Sequence, residues 1–97
     1  MARPTLPAQA VHARTTPEFT DESVPAALLG QHRIAANTWG RLRVRAGSVR
    51  LVFDDDGGQG VEVAAGAYAD IPPEMTHHVV PGSGARFVVE FFRLGPR

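Results

Sequence analysis

Ninety-seven residues predict one domain with one core, because a chain this short buries roughly two thirds of the surface its unfolded form exposes. Ten arginines, with no lysine, balance ten Asp plus Glu, so net charge gives no reason to expect nucleic acid or an anionic membrane as a partner. The lack of cysteine excludes disulfides, thiolate nucleophiles and sulfur-ligated metals, and any metal has to be held by nitrogen and oxygen.

The first stretch, MARPTLPAQAVHARTTPEF, has prolines and charges where a leader needs a continuous apolar run, and nowhere do eighteen apolar residues follow one another. A cytoplasmic, soluble protein is expected. Pro4, Pro7, Pro17 and Pro25 predict an extended arm over residues 1–30 that lies on the domain. Within it, Thr20-Asp21-Glu22-Ser23 reads as a turn or a short capped helical piece ahead of VPAALLG. Gln31 to Ala36 reads as a short strand.

From Gly40 to Phe53 the chain reads as two strands broken at Ala46-Gly47-Ser48. Leu42, Val44, Val49, Leu51 and Phe53 share one face, and Arg41, Arg43, Arg45 and Arg50 the other. A half-buried antiparallel hairpin with a solvated Arg face accounts for this alternation. DDDGGQG, Asp54 to Gly60, is a loop without the ligand spacing of an EF-hand. Short strands then follow in VEVAAG, AYADIP, THHVVP and ARFVVEFFRL, and this succession predicts an all-β barrel or sandwich. The last strand is apolar on both faces, which predicts cover from the N-terminal arm or from a second copy in a homodimer.

The chemistry is concentrated in GAYADIPPEMTHHVVPG. Gly66, five residues, Pro72, one residue, Glu74, two residues, His77 resembles the second motif of the cupin superfamily, G-x5-P-x-G-x2-H, with Glu74 in place of its second Gly. The first cupin motif is thinner: His32 stands at one ligand position, Ile34 at the second His, and Trp39-Gly40 where a carboxylate belongs. The whole chain resembles the small cupins related to YeaR and to the N-terminal domain of TehB-type tellurite-resistance proteins. The resembling segments are Arg14 to Phe19, Val24 to Leu29 with His32, Thr38 to Leu42 with Gly47, Pro72-Pro73-Glu74 with His77, and Phe91-Phe92. The resemblance implies one cupin-type jelly-roll barrel over residues 1–97, a metal site and a link to oxyanion or nitrosative stress. It implies no known reaction.

The expected metal ligands are His32, Glu74, His77 and Glu90, since imidazole and carboxylate together suit a divalent transition metal, zinc first and Fe, Ni or Mn as alternatives. Glu90 is singled out because a carboxylate in an apolar strand requires a cation, an Arg or a hydrogen-bond network. Trp39 and Tyr68 are expected to wall the pocket, and His78, alternating with His77, to lie behind it or at the surface. The leading expectation is a metal-binding domain that handles or senses a small anionic or reactive molecule. The alternatives are a metal-dependent isomerase or Fe-dependent oxygenase with Glu74 or Glu90 as general base, and a metal-free dimeric binding module.

Overall fold

The computed structural model describes residues 4–30 and 33–94. Its elements are β1 (Ala10–Thr15), β2 (Phe19–Thr20), α1 (Ala26–Leu29), β3 (Thr38–Ala46), β4 (Ser48–Phe53), β5 (Val61–Ala64), β6 (Tyr68–Ile71), β7 (His77–Pro81) and β8 (Arg86–Leu94). The strands form two antiparallel sheets. One runs β1-β8-β3-β6 with β2 also on β8, and the other runs β5-β4-β7. The all-β expectation holds, but the described strands make two separate sheets and do not close into a barrel.

The Arg/apolar alternation from Arg41 onward produces the inner faces of β3 and β4. Leu42, Val44, Val49, Leu51 and Phe53 are all buried in the core between the sheets. The expected hairpin is corrected, however: β3 pairs with β6 and β8, whereas β4 pairs with β5 and β7. Gly47 is therefore a corner at which the chain leaves one sheet for the other. Its φ is +65°, and a Cβ there would stand 3.0 Å from the Cα of Ala85 and 3.2 Å from its nitrogen. Alternation specifies which way side chains point and is silent about which strand lies alongside.

The N-terminal segment is more regular than an arm. β1 pairs with β8 from Ala10↔Leu94 to Thr15↔Glu90, with an irregularity between His12 and Arg14. Thr16 continues the seam, its N–H donating to the Val89 carbonyl and its hydroxyl accepting from the Val89 N–H, both at 3.0 Å. The Thr20–Ser23 turn forms as expected, with the Thr20 hydroxyl accepting from the N–H groups of Glu22 and Ser23. The short strand expected over Gln31 to Ala36 is absent from its described part, residues 33–36, while Gln31 lies outside the described residues.

β8 needs no second copy to explain its composition. It lies between β1 and β3, sends Phe87, Val89 and Phe91 toward the core, and turns Val88, Glu90 and Phe92 to the outer face. That outer face is not simply solvated. Arg41 holds Asp70 bidentately, Nε to Oδ1 at 2.7 Å and Nη2 to Oδ2 at 3.3 Å, and its guanidinium lies 4.0 Å from the Tyr68 ring centroid. This hydrogen bonding to Asp70 holds Arg41 above the ordinary arginine pKa, against the opposing effect of burial. The Leu6 N–H also donates to Asp70, at 3.0 Å, so one nearly buried carboxylate fastens the N-terminal segment to β6.

Two stability measurements check this account. Gly47→Ala is expected to lower unfolding free energy by about 1–3 kcal/mol in urea, because it combines an unfavourable φ with a backbone collision. Asp70→Ala should cost about 1.5–3 kcal/mol, since it strips a charged partner from Arg41 and an acceptor from Leu6. An unchanged midpoint in either variant contradicts the assigned role.

Candidate functional site

Between the sheets, under α1, is a cavity of about 250 Å³ with a mainly apolar wall. Leu28 of α1 roofs it, Val79 of β7 and Val89 of β8 face each other across it, and Phe19 and Ile34 complete its sides. His77 is in that wall. It is 3 % exposed and is the one buried polar or charged residue among those described. An imidazole buried at an apolar cavity is conspicuous because buried polar groups need hydrogen-bond partners.

The first residue of β7 carries this imidazole inward, and the preceding turn fixes its ring. Nδ1 lies 2.9 Å from the Met75 carbonyl oxygen. A carbonyl only accepts, so Nδ1 bears the proton, and in the neutral ring Nε2 has the lone pair. Phe53 packs beside it at 6.1 Å between ring centroids. His78, the next residue, is half-buried, pairs with Val52 and does not line the cavity, consistent with alternation along the strand.

The other expected site residues are dispersed. Glu74 is exposed and acts through its backbone: its N–H donates to the Ile34 carbonyl at 2.8 Å, and its own carbonyl accepts from Arg33 Nε at 3.3 Å. Its φ is +64°, so the residue standing at the motif's second glycine adopts a backbone that favours glycine. Glu90 lies on the outer face, with Oε1 3.3 Å from Arg43 Nη2. That contact has the distance of an ion pair but not hydrogen-bond geometry, because Oε1 is buried without a hydrogen-bond donor among the described residues. The sheet itself therefore separates Glu90 from His77.

Trp39 and Tyr68 do not wall the cavity. Trp39 is buried opposite Phe92, on the β3 face shared with Arg41, and Tyr68 is 51 % exposed beneath the Arg41 guanidinium. His32 lies outside the described residues, although Leu28 and Ile34, which flank it in sequence, both line the cavity. Among the described residues no three His, Asp or Glu side chains gather where a metal ion would be held. The described donor set thus does not fit the expected His-and-carboxylate centre, since His77 faces the cavity, Glu74 is at the surface and Glu90 is across the sheet.

Reading the sequence missed Arg14 and Leu28. Arg14 reaches the cavity because β1 slips register after His12, and its guanidinium lies 4.6 Å from the centroid of Phe91. No period-two rule reveals such a slip. Ile34 had a usable signal: it occupies the first motif's second His position and points to the cavity with an apolar side chain.

The chain is thus a two-sheet antiparallel β domain with a buried histidine in the wall of a mainly apolar cavity. The model of the TehB-like domain family matches residues 14–89, and the chain belongs to that family. A crystal structure of an Escherichia coli K12 protein is similar over 97 % of this chain and 100 % of that one, with 23 % identity and a TM-score of 0.85. TehB from Haemophilus influenzae is similar with 16 % identity and a TM-score of 0.78, over 90 % of this chain and 32 % of that one. A Neisseria meningitidis protein is similar at 14 % identity and a TM-score of 0.52, over 95 % and 88 % of the two chains. At these identities the structures show a shared fold. No curated protein matches the sequence. No described helix is long and apolar enough to cross a membrane.

The backbone role of Glu74 separates it from a ligand. Glu74→Gly is expected to leave stability unchanged or to raise it by up to about 1 kcal/mol in urea, by relieving the positive φ. A clear loss of stability places the function in the carboxylate. For His77, a long-range ¹⁵N correlation spectrum is expected to show a protonated Nδ1, and an unprotonated Nδ1 contradicts the Met75 bond.

Proposed function

We propose that this chain is a cupin-type binding domain that takes a small, largely apolar molecule between its two sheets, with His77 as the polar contact. The observation that carries this reading is the placement of one buried imidazole in the wall of a mainly apolar cavity of about 250 Å³, which Arg14 and Thr16 also line. The cupin assignment draws support from the Gly66–His77 motif: its histidine is at the cavity, and its second-glycine position keeps a glycine-like backbone at Glu74. Neither carboxylate expected as a general base lies at the cavity, which favours binding over the isomerase and oxygenase alternatives.

Thermal unfolding in the presence of straight-chain alkanols tests the binding. A ligand that binds only the native state raises the melting temperature in a saturable way. The wild-type protein is expected to show this with 1-octanol, and Leu28→Trp, which fills the cavity from its roof, is expected to abolish it. Ala27→Trp, at an exposed position on α1, is a second filling variant should Leu28→Trp misfold. No wild-type shift, or an equal shift in a well-folded filled variant, overturns the proposal.

A second reading has a specific observation in its favour. The Nδ1 hydrogen bond to a backbone carbonyl is the arrangement that commonly orients a metal-binding histidine. In that reading His77 and His32 hold a divalent transition metal, zinc first. Elemental analysis of protein purified without added metal, beside His32→Ala and His77→Ala, decides it. Stoichiometric metal lost in both variants supports the reading, and metal-free wild-type protein refutes it.

A further inference from the structure

Eight arginines lie among the described residues, and five are in ion pairs. Arg41 pairs with Asp70, Arg43 with Glu90, Arg50 with Glu62, and both Arg45 and Arg86 with Glu18. The other three, Arg14, Arg33 and Arg93, make no ion pair with a described residue, and all three line one cleft of about 300 Å³. No Asp or Glu among the described residues lines it, and Thr38 adds a hydroxyl. Unpaired cations scattered at random over the surface need no explanation. Three that converge on one concavity repel one another, and together they focus positive potential into it.

Two of these cations are held in ways that leave donors to spare. Arg14 lies over the Phe91 ring, a contact made through the face of the guanidinium. Arg33 gives Nε to the Glu74 carbonyl at 3.3 Å and keeps its terminal N–H groups. Guanidinium forks match carboxylate and phosphate oxygens in geometry as well as charge. The cleft also adjoins the His77 cavity, since Arg14, Ile34 and Phe91 line both. One side of this junction gathers three cations and the other is mainly apolar, with Arg14 between them.

We propose that the cleft of Arg14, Arg33 and Arg93 binds an oxyanion, a carboxylate or a phosphate, as the head group of the molecule whose apolar part enters the His77 cavity. The second half of this statement rests on the binding function proposed above. The ligand class is thus an amphipathic monoanion or phosphate ester.

Calorimetric titration of the whole chain with inorganic phosphate, octanoate and 1-octanol, at low and high NaCl, tests it. Octanoate is expected to bind at least about tenfold more tightly than octanol. Arg33→Gln and Arg93→Gln, neither of which alters the cavity wall, are each expected to weaken octanoate about tenfold and octanol less than about twofold. Added salt should weaken octanoate but not octanol, and phosphate should compete with octanoate. Thermal melts confirm that the variants fold, and Arg93, which makes no side-chain hydrogen bond among the described residues, is the safer of the two. Octanoate no tighter than octanol, or indifferent to both substitutions, overturns the anion site while octanol binding still upholds the cavity. Arg-dependent phosphate binding without any octanol binding upholds the cleft and defeats the cavity reading. Failure of both anions to bind overturns the proposal.

Discussion

The rest of the fold follows from the need to bury β8. Its nine residues are apolar on both faces apart from Arg86, Glu90 and Arg93, and a strand of that kind is stable only as an interior strand. β3 occupies one of its edges and β1 with β2 the other, so the N-terminal segment is recruited into the sheet by the C-terminal strand. Its inner side chains, Phe87 and Val89, join Leu42, Val44 and Leu51 in the core. The cavity lies beside Val89 and Phe91, between this inner surface and His77 and Val79 of β7 in the opposite sheet.

One sheet therefore carries two chemistries back to back. On the outer face, Arg41, Asp70, Tyr68 and Phe92 form a half-buried layer of charge and aromatic rings in which each cation has an anion or a π-face. On the sheet's inner side lies a mainly apolar cavity, to whose wall the opposite sheet brings the His77 imidazole. The sheet backbone lies between Glu90 on its outer face and His77 at the cavity. In the outer layer Arg41 and Asp70 satisfy one another, whereas Glu90 Oε1 has no hydrogen-bond donor among the described residues.

Much of this was legible from residues alone. Period-two alternation identified the core faces of β3 and β4, and motif spacing selected His77 over His78. The failures share a physical origin. Alternation specifies up or down but not the neighbouring strand, so a sheet-to-sheet corner at Gly47 looked like a hairpin turn. The same limit misled the reading of Trp39 and Tyr68, which were judged by closeness in sequence to a motif although both lie on the outer face of the sheet. Glu90, singled out as a carboxylate in an apolar strand, lies on that face too, beside Arg43. Glu74 was read for its carboxylate when the position demands a backbone conformation. The family, by contrast, was visible because its marks are spread along the chain and no single ligand decides it.

The pairing of Ala10 with Leu94 has a consequence for how such a domain is made and reused. A contact between residues so far apart in sequence forms late, because the chain must close a long loop before the pairing yields any return, and folding from a ribosome waits for the last strand to emerge. Once formed, the same contact leaves the entry and exit of the sheet side by side. The unit is thereby suited to insertion into a host loop or to circular permutation, since either needs only a short bridge between neighbouring strand ends.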